Sequence, residues 1–253
     1  MSSGSVDAKR LPSVLVLTGA GVSADSGVAT FRDAGGLWEG LRPEEVATPD
    51  AWARDASMVW RFYQARRRAL VGVEPNPAHR ALARLERRLL AAGASFRLVT
   101  QNVDDLHERA GSEALLHMHG ELASLRCEIC GLRVRELESF GDDFLTCSAC
   151  GDARLRPDVV WFGEIPFHMD EIERLLRRCT HFLAVGTSGQ VWPAAGFLHA
   201  ARAAGAHTWV QSLDEPENVD AEDTFVAGRA AEVLPGLLDE LAAGWGLPEL
   251  PES

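Results

Sequence analysis

The strongest constraint on this chain is local: an apolar run, Ser13-Val-Leu-Val-Leu-Thr18, passes straight into Gly19-Ala-Gly-Val-Ser-Ala24. A short continuous apolar run that meets glycines reads as a buried strand entering a tight turn and a helix start. Further β-like runs at 96–100, 115–119, 182–187 and 208–212 alternate with amphipathic helical stretches such as 76–91 and 193–204. Alternation of this kind predicts an α/β fold with a doubly wound parallel, Rossmann-like sheet. Two segments break the pattern, the Arg-rich helical stretch 49–71 and the cysteine-bearing stretch 125–156. Both read as insertions beside the sheet. The expected division is a discontinuous large domain (11–40, 72–122 and 155–247) and a small domain made of a helical insertion, 41–71, and a cysteine module, 123–154.

Composition narrows the partners. With 25 basic against 37 acidic residues the formal charge is -12, which argues against a broad grip on nucleic acid. No run of 18 apolar residues occurs and residues 1–10 are polar, so neither export nor a membrane span is expected, and a cytoplasmic location is.

Cys127-x2-Cys130 and Cys147-x2-Cys150, separated by 16 residues, have ribbon spacing for one tetrahedral zinc held by four thiolates. Four protein ligands leave no open position for water, so such an ion is structural. The fifth cysteine, Cys179, ends an amphipathic helical stretch and reads as a buried, unreactive thiol.

Gly19, Gly21 and Ala24 match the G-x-G-x-x-G/A pattern that brings backbone N–H groups to a pyrophosphate. The acidic residue that a dehydrogenase carries about 20 residues later is missing. A glycine-rich loop with one arginine, Phe31-Arg-Asp-Ala-Gly-Gly-Leu-Trp38, stands there instead.

Taken in order, Gly19 to Gly27, Thr30-Phe-Arg32, Gly36-Leu-Trp38, Thr100-Gln-Asn-Val-Asp-Asp-Leu-His107, His119-Gly120, the cysteine quartet, Arg156-Pro-Asp-Val-Val-Trp-Phe-Gly-Glu164 and Gly186-Thr-Ser188 resemble the sirtuins, NAD-dependent protein deacylases. The resemblance runs from about Val14 to Pro235. It implies NAD held by Gly19, Ala20, Gly21, Ser23, Phe31, Arg32, Trp38, Gln101, Asn102, Asp104, His119, Gly186, Thr187, Ser188, Ser212 and Ala230. It also implies catalysis by His119 with Asn102 and Asp104, and an acylated protein lysine whose peptide adds as a strand along Val160, Phe162, Gly163 and Glu164. Ala29 departs from the family's proline, and Ser212 from an asparagine that contacts the adenosine ribose.

A lysine amide is a poor electrophile, so its hydrolysis needs a metal-bound water or an activated partner, and a closed four-cysteine site does not offer the first. The resemblance implies the second: the amide oxygen attacks the nicotinamide ribose carbon of NAD, nicotinamide leaves, and an alkylimidate on ADP-ribose results. His119 then acts as general base on a ribose hydroxyl, and water completes the breakdown to lysine and O-acyl-ADP-ribose. The residues alone leave His117 and His119 open, because both lie on one face of an extended segment. In the family the base precedes a glycine, which selects His119. Asn102 and Asp104 also read as plain helix caps, a task open to Asp105 or Asn102. Trp60-Arg-Phe-Tyr-Gln-Ala-Arg66 is similar to the Tyr-x-x-Arg element of sirtuins that remove acidic acyl groups, which implies Tyr63 and Arg66 as readers of a succinyl or malonyl carboxylate. ADP-ribose transfer to protein on the same scaffold, or a non-catalytic NAD-sensing zinc-ribbon docking protein, are the alternatives.

Overall fold

The computed structural model describes residues 11–28, 41–135, 141–151 and 155–250. In chain order the strands are β1 (Ser13–Thr18), β2 (Ser95–Thr100), β3 (Leu115–His117), β4 (Gly120–Cys127), β5 (Arg133–Arg135), β6 (Leu155–Val159), β7 (His181–Val185), β8 (His207–Ser212) and β9 (Thr224–Ala227). The helices are α1 (Pro43–Val46), α2 (Pro49–Arg54), α3 (Ala56–Ala69), α4 (Pro77–Ala91), α5 (Leu106–Arg109), α6 (Met169–Leu176), α7 (Phe197–Ala203) and α8 (Ala230–Trp245). Six strands form one sheet in the order β3-β2-β1-β7-β8-β9, all parallel.

The unbroken hydrophobicity of β1 follows from its central place. Val14 and Val16 face a core with Leu82, Leu85 and Leu89 of α4 and Leu234 and Leu238 of α8. Leu15 and Leu17 face the opposite core with Ile172 and Leu176 of α6 and Phe197, Leu198 and Ala201 of α7. Each of these four strand residues is at most 3% exposed, and full burial of such a side chain contributes about 1.5–3 kcal/mol. The sheet is therefore covered on both faces, as a doubly wound fold requires. No helix among the described residues is long and apolar enough to cross a membrane.

Helix α4 begins where its sequence dictates. The Asn76 side chain accepts the Ala78 N–H, Pro77 occupies the first turn, and Asn76 Nδ2 donates to the Val22 carbonyl at 2.8 Å, which ties the helix start to the glycine turn. The turn itself differs from expectation. After Gly19 the chain makes two 3-10 turns, Ala20–Val22 and Ala24–Ser26, and no α-helix starts there. The stretch 193–204 likewise opens with a 3-10 turn, Ala194–Gly196, before α7. Cys179 is buried, donates to the Leu176 carbonyl, and its thiol is pushed up to about 11 by burial.

A second, three-stranded sheet has the order β5-β4-β6, antiparallel throughout. Expected boundaries shift here. Strand β6 falls in the segment 155–247 assigned to the large domain, yet it pairs with β4, and Leu155 and Val159 enter a third core. That core also holds Val46, Trp52, Trp60, Phe62 and Tyr63 from the helical insertion and Cys127 and Cys147 from the ribbon. Hydrogen bonds join the two insertions as well: Trp52 Nε1 donates to Glu128, and Trp60 Nε1 and Gln64 Nε2 donate to the Gly141 carbonyl.

The expected strand 115–119 also ends early. Strand β3 stops at His117, and β4 of the other sheet begins at Gly120, so Met118 and His119 form the crossing between the sheets. Gly120 makes the crossing possible with φ +80, and a Cβ there would lie 2.0 Å from the Asp158 carbonyl oxygen. Gly120→Ala should cost at least about 2 kcal/mol from left-handed strain plus the clash with β6. Thermal or urea unfolding checks this, and an unchanged midpoint would show that the crossing tolerates a side chain.

Candidate active site and metal centre

Strand order reverses between β1 and β7, and open α/β sheets bind ligands in the crevice at the carboxyl ends of strands around such a point. The residues expected to hold NAD gather there. Gly19, Ala20 and Gly21 follow β1, Gln101, Asn102 and Asp104 follow β2, Gly186, Thr187 and Ser188 follow β7, Ser212 ends β8, and Ala230 opens α8. Phe31, Arg32 and Trp38, like the divergent Ala29, lie outside the described residues.

The glycines have a first duty to each other. Gly21 N–H donates to the Gly186 carbonyl at 2.8 Å, and Gly19 N–H to the Val185 carbonyl at 3.0 Å. A Cβ on Gly19 or Gly21 would lie 2.8 Å from Gly186 backbone atoms, and one on Gly186, at φ +62, only 2.4 Å from Val22 N. Two backbone turns thus touch with no side chain between them. Gln101 Nε2 ties a third element, the turn after β2, to the loop after β7 by donating to Thr187 Oγ1 at 3.2 Å. The Ser212 hydroxyl donates to the Asp214 carbonyl and so is already engaged within its own loop.

Below the turns lies a buried polar network centred on Ser23, which is fully buried. Its oxygen is within hydrogen-bond distance of Asp104 Oδ2 (3.0 Å), Asn102 Nδ2 (3.1 Å) and His79 Nε2 (3.3 Å). One hydroxyl has one proton. It goes to Asp104, so Asn102 and His79 both donate to Ser23. His79 can do so because its Nδ1 accepts the Asn76 N–H. Burial lowers the His79 pKa to about 4, which keeps it neutral. Asn102 Nδ2 also lies 3.2 Å from the Gly19 carbonyl. Asp104 Oδ1 accepts the Leu106 N–H, so this residue caps the first turn of α5, while neither Asp105 nor Asn102 does. Burial raises the Asp104 pKa against the opposing pull of these hydrogen bonds. Sequence reading did not single out His79, three residues past the Asn76 cap, where it reads only as the partner of that cap.

The two candidate bases have different surroundings. His119 Nδ1 lies 3.0 Å from the Gln101 carbonyl. A carbonyl only accepts, so Nδ1 carries the proton and Nε2 is the basic nitrogen. Burial holds the His119 pKa below its usual value, partly offset by the Gln101 hydrogen bond. His117 has both nitrogens engaged, Nδ1 with the Asn102 carbonyl at 3.2 Å and Nε2 with Glu108 Oε1 at 2.7 Å.

On the small-module side, Tyr63 is 2% exposed and its hydroxyl accepts the Trp161 Nε1 proton at 2.9 Å. Burial raises the Tyr63 pKa and keeps the phenol protonated, and Arg66, one turn later on α3, is near enough to oppose that shift. The guanidinium of Arg66 lies 5.7 Å from the Phe62 ring. Val160 N–H donates to the His119 carbonyl and Phe162 N–H to the Ala47 carbonyl, so the segment expected to meet a peptide is anchored beside the crossing. Phe162 is 51% exposed, whereas the Glu164 carboxylate is turned inward, where both its oxygens accept from Arg156 and Oε2 also accepts the Trp161 N–H. Glu164 therefore spends its side chain on shaping this segment.

The four thiols Cys127, Cys130, Cys147 and Cys150 lie within 4.8 Å of one another, with Sγ pairs at 3.5 and 3.6 Å. Tetrahedral zinc at the usual zinc–sulfur distance needs sulfurs roughly 3.8 Å apart, so this set fits one ion with small adjustment. The knuckles close through Gly131 N–H to the Cys127 carbonyl and Gly151 N–H to the Cys147 carbonyl. Cys127 and Cys147 lie in the third core, so loss of the ion should loosen the whole small module. The purified protein should carry about one zinc, and Cys127→Ser should lose the metal together with folded structure. Metal analysis with circular dichroism checks this, and a metal-free variant of unchanged stability would remove the structural role.

The profile described as the Sir2 family matches residues 19–193. An NAD-dependent protein deacylase of Caulobacter vibrioides is 49% identical over 231 residues, covering 91% of this chain and 97% of the relative. A Sir2 homologue solved in complex with NAD superposes with a TM-score of 0.81 at 38% identity, covering 92% of this chain and 90% of that one. Sir2Af2 bound to a myristoylated histone peptide superposes with a TM-score of 0.71 at 31% identity, covering 92% of each chain. The conjunction of the switch-point crevice, the four-thiol site and these likenesses gives one conclusion: the chain belongs to the Sir2 family.

Proposed function

We propose that this protein is an NAD-dependent protein-lysine deacylase with a preference for acyl chains that end in a carboxylate, releasing nicotinamide, O-acyl-ADP-ribose and free lysine. The observation that carries the reading is His119: burial favours its neutral imidazole, and the carbonyl of Gln101, on the turn that also carries Asn102 and Asp104, fixes the tautomer with Nε2 basic. Names of relatives support the reaction class, since the Caulobacter vibrioides protein is called an NAD-dependent protein deacylase. The Sir2Af2 complex supports an acylated peptide as the partner.

NAD supplies an electrophilic ribose carbon and a nicotinamide leaving group. The switch-point turns from Gly19 to Ser23 and from Gly186 to Ser188 would hold it by letting the pyrophosphate approach the backbone closely, with the hydroxyls of Thr187 and Ser188 as donors. Asn102 and Asp104 would orient the reacting ribose from a network whose every proton is assigned, which limits the rearrangement needed during reaction. His119 would take a hydroxyl proton onto Nε2, with the resulting positive charge stabilised by the Nδ1 hydrogen bond. Zinc would be held by the four cysteines and would support the module without touching the chemistry.

Specificity is assigned to Tyr63 and Arg66. The phenol oxygen accepts from Trp161 and keeps its own proton to donate, while a guanidinium three residues on supplies a charge-assisted fork for a carboxylate. Trp161 belongs to the peptide-facing segment, so the acyl reader and the peptide strand are oriented by one hydrogen bond.

Acetyl-, succinyl- and glutaryl-lysine peptides with NAD test the reading when nicotinamide and free lysine are both followed; nicotinamide release without deacylation would indicate ADP-ribose transfer or NAD hydrolysis. His119→Ala should lower deacylation roughly 100- to 10,000-fold with NAD binding largely kept. Because the working form of His119 is neutral and its pKa is depressed, the rate should be retained through neutral pH and fall only as pH drops below the usual histidine range. Arg66→Met should cost the succinyl peptide about 2 kcal/mol in kcat/KM and leave the acetyl peptide little changed. Equal losses on both peptides would make Arg66 a support of the fold.

A further inference from the structure

We infer that His117 is a positioning residue for this reaction: as a cation paired with Glu108, it fixes the backbone carbonyl of Asn102, next to the carbonyl that holds His119, and so sets where the asparagine side chain starts from. The inference rests on the reading of His119 as the base.

The argument begins with proton counting. Nδ1 of His117 faces a backbone carbonyl at 3.2 Å and Nε2 faces a carboxylate oxygen at 2.7 Å. Both partners are acceptors, so both nitrogens donate and the ring is charged. A neutral ring would have one proton for two acceptors, and one contact would be lost. The His117 side chain is 11% exposed and that of Glu108 31%, so the pair is partly shielded from solvent on the histidine side.

Geometry then links this charge to the site. His119, two residues on, donates to the Gln101 carbonyl, so the two histidines grip two consecutive carbonyls of the turn after β2. From that turn the Asn102 side chain reaches the Gly19 carbonyl and Ser23 Oγ. Slackening one carbonyl would shift the asparagine relative to the base, and a misplacement of about 1 Å can cost on the order of 100-fold in rate.

The charged and titratable groups facing His117 are Glu108 and His107 of α5, Asp104 of the turn after β2, and Glu121 of β4, the last paired with Arg135 of β5. Burial opposes the charge on His117, but the Glu108 hydrogen bond and charge, with Glu121 behind it, outweigh burial and the net shift is upward. His119 shifts downward. Environments that push two titratable groups apart assign them opposite roles. The active form is thus His119 neutral and His117 charged, and positioning is full at low pH and lost as pH rises through the raised value of His117.

The test is the pH dependence of kcat of the intact enzyme with saturating NAD and acyl-peptide. The wild type should show a bell, its acid limb from His119 and its alkaline limb from His117. Glu108→Gln keeps an acceptor but removes the charge. It should move the alkaline limb to lower pH, leave the acid limb in place and lower kcat roughly 10-fold or more with KM for NAD little changed. His117→Gln should abolish that limb. An alkaline limb that stays put in both variants overturns the inference. Nitrogen NMR of the wild-type imidazoles needs neither turnover nor a variant: His117 should be protonated on both nitrogens at neutral pH and His119 on one. A neutral His117 overturns the positioning role even if His119 is the base, whereas a wild type without deacylation would sink the reading of the reaction instead.

Discussion

The architecture depends on a contact between two backbone turns, the one leaving β1 and the one leaving β7. Gly21 and Gly186 approach until an N–H of one reaches the carbonyl of the other, and no Cβ fits between them. Because β1 and β7 are the central strands of the sheet, this contact draws the two halves of the fold together at the point where a parallel sheet leaves its crevice. The turns after β1 and β2 and the loop after β7 all meet around that contact. Asn76 ties α4 to the first turn through Val22, and Gln101 ties the turn after β2 to the loop after β7 through Thr187. The glycines that sequence patterns associate with phosphate therefore act first as packing residues, and the N–H groups of Gly19, Gly21 and Gly186 are engaged in that packing.

A second dependence runs through the crossing at Met118 and His119. The chain leaves one sheet and enters another within two residues, so the position of His119 is set by both cores at once. Its backbone carbonyl receives Val160 from the small module while its ring binds Gln101 of the large one. The small module is held on the same side by Arg156, whose guanidinium lies 3.4 Å from the centre of the Trp161 ring and forks onto Glu164. A buried arginine needs such a partner, and removing either member would leave an uncompensated charge. Through Trp161 the same cluster orients Tyr63.

Sequence made some of this legible for plain physical reasons. Runs such as 13–18 and 182–187 are short, rich in apolar residues and followed by or ending in turn residues, so the doubly wound sheet followed from their alternation with helical stretches. The quartet of cysteines carried its own geometry. Boundaries were harder. Strand β6 holds Arg156, Pro157 and Asp158 within five residues, all buried, and no alternation announces that such a segment pairs in the small sheet. The choice of Asp104 as the cap stayed open because Asn102, Asp104 and Asp105 offer the same chemistry within four residues, and only backbone direction chooses among them. The separation of His117 from His119 required a partner, Glu108, that lies nine residues away on another element.

Both histidines also show how burial can act in opposite directions within two residues. Desolvation penalises the charged form of each. At His119 the facing group is a neutral carbonyl, which fixes the tautomer but supplies no net charge to offset the loss of water. At His117 the second facing group is a carboxylate, whose field is strengthened by the same low dielectric that penalises the ring. The alternation of an extended segment puts both rings on one side, and the turn after β2 then offers each a carbonyl one residue apart. One acidic side chain on α5 is enough to separate their protonation states. A base and a fixed cation can thereby be held side by side on a single stretch of backbone.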